Sequence, residues 1–88
     1  MAEYVITFTR SARKELDNLS ASLINRIIPQ IRALTQDPRP THCRKIEGTE
    51  NAWRIRVGDY RVIYQVFDDE RVVDIVAVRH RSQAYKPR

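Results

Sequence analysis

Apolar and polar residues alternate where the chain begins. In EYVITFT, residues 3–9, Tyr4, Ile6 and Phe8 fall on one side and Val5, Thr7 and Thr9 on the other, which predicts a half-buried strand. The period then lengthens. Ser11 is placed to cap a helix over ARKELDNL, in which Ala12, Leu16 and Leu19 share one face at i, i+4 and i+7. A second helix is expected from Ser20 or Ser22 to about Thr35, with Leu23, Ile27, Ile31 and Leu34 as its apolar stripe and Ile24 and Ile28 widening it. Pro29 lies inside that helix and removes the hydrogen bond back to Asn25, so a kink is expected there. Two helices joined this closely form a hairpin suited to covering one face of a sheet.

Residues 35–51, TQDPRPTHCRKIEGTEN, stop the helix with Pro38 and Pro40 and read mainly as loop, with Ile46 as an apolar anchor. Alternation then returns in three strands, residues 52–57, 60–67 and 71–79, separated by Gly58-Asp59 and by the acidic run 68–70. The order β-α-α-β-β-β describes an α+β fold whose antiparallel sheet is covered on one face by the helical hairpin. At 88 residues the whole chain, 1–88, is expected to be one domain, without repeats or linkers.

A two-residue loop at Gly58-Asp59 sets the register of AWRIRVGDYRVIYQV, residues 52–66. Val57 then faces Tyr60, Ile55 faces Val62 and Trp53 faces Tyr64, an apolar and aromatic face that belongs against the helices. The other face places Arg56 across from Arg61 and Arg54 across from Ile63. Like charges directly opposed destabilise a strand pair by a few tenths of a kcal/mol to about 1 kcal/mol. An anion between the guanidinium groups would relieve that repulsion, and arginine forks suit bidentate phosphate contact. If Asp69-Glu70 is a two-residue turn, Val73, Ile75 and Ala77 join the core face and Asp74 the arginine face. Strict alternation would then turn Arg79 toward the helices and His80 toward the arginines, unless the strand stops before Arg79 or a bulge re-aims it.

Charge agrees with this picture. Sixteen Lys+Arg against 11 Asp+Glu leave +5, and Lys14, Lys45 and Lys86 are the only lysines, so a polyanionic partner is expected. The single cysteine, Cys43, excludes an intrachain disulfide and fits a reducing compartment. His42 beside it, with His80 far along the chain, does not make a metal site, and no metal or small-molecule cofactor is expected. No signal-peptide pattern opens the chain and no apolar run approaches about 18 residues, so a cytoplasmic protein without a membrane partner is expected.

Together the opening strand, the helical hairpin, KIEG, WRIRVGDYRVIYQV and the ending VVDIVAVRHRSQAY resemble the RelE/ParE superfamily of type II toxin–antitoxin toxins over nearly the whole length. The resemblance implies the RelE-like fold, also described as microbial RNase-like. It further implies a cognate antitoxin that wraps the basic surface or displaces the tail. RelE-like members cut mRNA in the A site of the ribosomal 30S subunit, against rRNA and without metal; ParE-like members poison DNA gyrase. Arg54 and Arg56 match strand positions that are basic, often lysine, in the nucleases. Arg61, Arg79 and Tyr85 match three further positions, and the full set favours the RelE-like branch. Arg81 and Lys45 are added as RNA contacts. The implied chemistry is attack of the ribose 2′-OH on the adjacent phosphate. Arginine cannot serve as a general base, which leaves Tyr85, His80, or orientation of the RNA without any base.

Overall fold

The computed structural model describes residues 3–84. Its elements are β1 (Val5–Phe8), α1 (Arg10–Asp17), α2 (Ala21–Ala33), β2 (Arg44–Lys45), β3 (Ala52–Val57), β4 (Tyr60–Phe67), β5 (Val72–His80) and α3 (Arg81–Ala84). The two central helices form as their apolar spacing requires, but α1 starts earlier than expected. Thr9, not Ser11, is its cap: the Thr9 hydroxyl accepts the Ala12 N–H at 3.1 Å and Ser11 becomes a first-turn residue. Ser20 caps α2 in the same way, accepting from the Leu23 N–H at 3.3 Å. Pro29 lies within α2 on an exposed face.

The sheet has five strands in the order β1-β5-β4-β3-β2. Two features depart from the all-antiparallel, four-strand expectation. The two-residue β2 adds an edge strand, pairing Arg44 with Arg54 and Lys45 with Trp53. At the opposite edge β1 runs parallel to β5, from Val5↔Val72 to Phe8↔Ile75. The helical hairpin carries the chain from β1 across to the β2 edge, and three antiparallel reversals then return β5 beside β1 in the same direction.

The β3–β4 register is the one expected, with Val57↔Tyr60, Ile55↔Val62 and Trp53↔Tyr64 on one face. Gly58 supplies the positive φ of 61° that this tight turn needs. The helices bury that face. Ala12, Leu16, Ile27, Ile31 and Leu34 meet Ile55, Val62, Tyr64, Val66, Val73, Ile75 and Val78 in one cluster. Tyr4, Ile6 and Phe8 pack on its margin while Val5 points to solvent, as the alternation of β1 predicts.

Between β4 and β5 the register slips once. Tyr64 pairs with Ile75 and Ile63 with Ala77, so Val76 is an extra residue on β5. Past this bulge every side chain changes face. Ala77, expected in the core, lies across from Ile63 on the opposite face, and Val78 takes its place in the core. Beyond the end of β1 the exposed edge of β5 is closed by side chains. The Thr9 hydroxyl donates to the Val76 carbonyl at 3.2 Å, and the Glu15 carboxylate accepts the Val78 N–H at 2.9 Å.

Two side-chain contacts hold the segment leading into β2 against the sheet, and a third braces one of them. The fully buried Tyr64 donates its O–H to the Pro38 carbonyl at 2.7 Å. Burial pushes that phenol well above its ordinary pKa, so it stays a donor. Arg39 grips Asp68 through both nitrogens, at 3.3 and 2.7 Å, and Tyr4 donates to the same carboxylate at 2.6 Å. The Arg39 and Tyr4 hydrogen bonds hold the Asp68 carboxyl below the usual range, and the Asp68 bond raises the Tyr4 phenol.

Candidate nucleic-acid interface

The face of the sheet turned away from α1 and α2 carries two neighbouring cross-strand rows. One runs Arg44–Arg54–Ile63–Ala77 and the other Arg56–Arg61–Arg79. The second row exists because of the bulge: without Val76 as an extra residue, Arg79 would point toward the helices. Side chains directly opposite one another in such rows have Cβ atoms roughly 5 Å apart, so three guanidinium groups share a short line across the sheet.

These arginines are held in different ways. Arg61 is only 5% exposed, and its Nη1 donates to the carbonyls of Gly58 at 3.3 Å and Tyr60 at 3.1 Å. Arg79 is tied by its Nε to Glu15 at 2.8 Å, the same carboxylate that accepts from Val78. Arg44 and Arg56 are exposed, and Arg54 is half-buried. With Thr41 and His42, these last three line a cleft of about 320 Å³ at the β2 edge. Among the described residues, no carboxylate lines it. The cleft is a concave, cationic surface sized for a phosphodiester and its flanking riboses.

The other expected site residues separate. His80 pairs with Tyr60 and so lies on the helix side, its ring edge-on to the Tyr60 ring at 5.5 Å between centroids. The Ser82 N–H donates to His80 Nδ1 at 3.2 Å. The bulge that brings Arg79 to the arginine face turns His80 away from it, so the expectation of His80 among the arginines is corrected. Lys45 also faces the other way, its ammonium 5.9 Å from the Trp53 ring, because β2 alternates and Arg44 takes the arginine face. Arg81 opens α3 beside the hairpin turn, with its backbone N–H donating to the Asp59 carbonyl at 2.7 Å and its Nε 3.8 Å from the Asp59 carboxylate. Tyr85 lies outside the described residues.

Arg44, His42 and Glu15 were not singled out from sequence as site residues. For the first two a signal existed. In HCRK, the apolar Cys43 between polar neighbours is strand-like alternation, and Cys43 packs against the core while its neighbours face the cleft. Glu15 had none, since its partners Val78 and Arg79 are more than sixty positions away along the chain.

A family model for the ParE toxin of type II toxin–antitoxin systems matches residues 6–85. The chain belongs to the RelE/ParE superfamily of type II toxins. Among RelE/ParE relatives, toxin RelG of Mycobacterium tuberculosis is 30% identical over 88 residues, covering 94% of this chain and 97% of that protein. The mRNA interferase toxin RelE of Escherichia coli is 28% identical over 86 residues, covering 93% and 90%. The fold agrees. The RelE–RelB complex of the archaeon Pyrococcus horikoshii contains a chain that superposes with a TM-score of 0.79 at 30% identity, over 92% of this chain and 98% of that one. Among the described residues of this superfamily member, no helix is long and apolar enough to cross a membrane.

Proposed function

We propose that this chain is a ribosome-dependent endoribonuclease, the toxin of a type II toxin–antitoxin pair, which cuts mRNA in the ribosomal A site. The observation that carries the reading is the pair of arginine rows, which includes Arg54, Arg56, Arg61 and Arg79 on one surface beside a cleft with no carboxylate among its described lining residues. The Escherichia coli and Mycobacterium tuberculosis relatives, named an mRNA interferase and a toxin, support it.

The reaction is in-line attack of a ribose 2′-OH on the adjacent phosphorus. The O2′–P bond forms, the P–O5′ bond breaks, and a 2′,3′-cyclic phosphate and a 5′-OH result. Arginines fixed beside the phosphate hold it in line with the attacking oxygen and stabilise the charge that builds on its equatorial oxygens. Arg61 and Arg79 are already anchored by hydrogen bonds, which lowers the reorganisation needed when RNA arrives. The chemistry needs no metal or cofactor. The neutralising partner is a cognate antitoxin, as the RelE–RelB complex of Pyrococcus horikoshii suggests.

A second reading, a gyrase inhibitor without nuclease activity, is favoured by the ParE description of the family model. Primer extension on mRNA from a translation reaction separates the two. Codon-spaced cuts that require ribosomes are the expected result; intact mRNA together with stalled DNA supercoiling overturns the nuclease reading. Arg61→Ala should lose the cuts, and full cleavage by that variant would show that the arginine face is not the site.

A further inference from the structure

In-line attack leaves one proton to place: that of the attacking 2′-OH. Guanidinium groups stay protonated at any working pH, so the arginines of the two rows cannot take it. His80 is turned to the helix side against Tyr60. Glu15 already accepts from the Val78 N–H and Arg79, and Asp74 accepts from the Thr7 hydroxyl at 2.7 Å at the far side of the sheet.

Among the described residues that line the cleft there is an imidazole. It is that of His42, which lines the cleft together with Thr41, Arg44, Arg54 and Arg56. Two features put the imidazole there. Cys43 packs into the core, which leaves His42 and Arg44 to the opposite side. The Cys43 N–H also donates to the Pro40 carbonyl at 2.9 Å, closing a turn over Thr41 and His42, and Pro40 follows the segment clamped by Tyr64 and Arg39. His42 is therefore carried on a braced turn rather than a loose loop, and its side chain is exposed.

We propose that His42 is the general base of the cleavage reaction and that the cleft is where the scissile phosphodiester of a single-stranded RNA sits. The inference rests on the nuclease reading given above. Arg54 and Arg56 from β3 and Arg44 from β2 hold the phosphate oxygens, and the His42 imidazole takes the 2′-OH proton as the O2′–P bond forms. The departing O5′ is protonated by solvent water, so the products are the cyclic phosphate and a free 5′-OH. Imidazole suits this role because a ring nitrogen can take a proton from a hydroxyl within hydrogen-bond reach and later release it, as general-base catalysis requires. Among the described residues, the charged groups that share the cleft with it are the guanidinium groups of Arg44, Arg54 and Arg56; Thr41 is neutral.

The test is single-turnover cleavage of mRNA on programmed ribosomes with saturating toxin, followed from pH 5.5 to 8.5, for wild type, His42→Gln and His42→Ala. Loss of a general base is expected to slow cleavage by about 10²- to 10⁴-fold. The wild-type rate should rise with pH, and that limb should vanish in both variants. Co-sedimentation with ribosomes should be unchanged, and because His42 is exposed the thermal midpoint should not move. Two results overturn the proposal while leaving the nuclease reading intact: a His42→Gln protein that cuts as fast as wild type, or one whose whole defect lies in ribosome binding. A wild type that leaves mRNA intact on these ribosomes overturns the nuclease reading, and this proposal with it.

Discussion

Replacing Arg56 by glutamine should make the protein more stable while removing its grip on phosphate. Arg56 lies across from Arg61, which lies across from Arg79. Arg79 has Glu15 as its counter-charge and Arg61 has two carbonyl acceptors. Among the described residues no carboxylate forms an ion pair with Arg56. Directly opposed like charges destabilise a strand pair by a few tenths to about 1 kcal/mol. In a domain of this size, 1 kcal/mol moves the thermal midpoint by roughly 4–8 °C, so relief of about 0.5 kcal/mol should raise it by about 2–4 °C. The gain must shrink with salt, because the screening length falls from about 30 Å at 0.01 M to about 3 Å at 1 M. Arg13→Gln is the matched control. It removes the same unit of charge from an exposed helix but gives up the i,i+4 contact with Asp17 at 3.7 Å, so its midpoint should stay level or fall slightly. Circular-dichroism melts of the three proteins in low salt and in 1 M salt decide the matter. An Arg56→Gln midpoint below wild type in low salt, or a gain of the same size in 1 M salt, would refute the repulsive row.

Three further outcomes follow from the packing and the clamp. Ile27→Ala, at a position with no solvent exposure, should lose about 2–5 kcal/mol in urea titration, and a loss under 1 kcal/mol would mean that α2 does not seal the core. Tyr64→Phe strands the Pro38 carbonyl and should lose about 1–3 kcal/mol, with faster amide exchange at Cys43 and Arg44; unchanged exchange there would separate the clamp from the cleft. Asp68 has a folded-state pKa held low by Arg39 and Tyr4, so its contribution to stability is complete above about pH 4 and disappears as pH falls through the lowered value. Asp68→Asn should therefore flatten the fall in stability between neutral and acid pH, and a variant with the wild-type acid profile would remove Asp68 from that account.

Most of the fold was written in local periodicity. The stripe of Ile27, Ile31 and Leu34 and the alternation of Trp53, Ile55 and Val57 against Tyr60, Val62 and Tyr64 needed only a period and a turn type. The same register placed Arg54, Arg56 and Arg61 on one face before any coordinates. What was hidden depended on partners distant in the chain. The parallel pairing of β1 with β5 follows from where the crossover lands, and two residues of β2 are too few to show a period. VVDIVAVRH is apolar without a break from Ile75 to Val78, so alternation cannot locate the bulge at Val76, which the sequence admitted only as one way to re-aim Arg79. Period alone therefore placed Ala77 in the core and His80 with the arginines, each on the wrong side by one residue.

That single extra residue ties the architecture to the site. It lets one strand serve two demands: Val73 and Ile75 before it and Val78 after it enter the core, while Arg79 completes the row with Arg56 and Arg61. Where β1 ends, the β5 edge is left open just past the bulge, and Glu15 fills that edge by accepting from the Val78 N–H and from Arg79 together. A helix of the core-packing hairpin thus supplies the counter-charge that steadies one end of a repulsive row. At the other end, among the described residues, no carboxylate forms an ion pair with Arg56, which borders the cleft with His42. The positive charge of Arg56 is therefore presented where a phosphate can enter. Local rules that are broken without local compensation mark functional positions in a folded sequence, and here the rule against directly opposed like charges is broken at Arg56, beside the cleft that His42 lines.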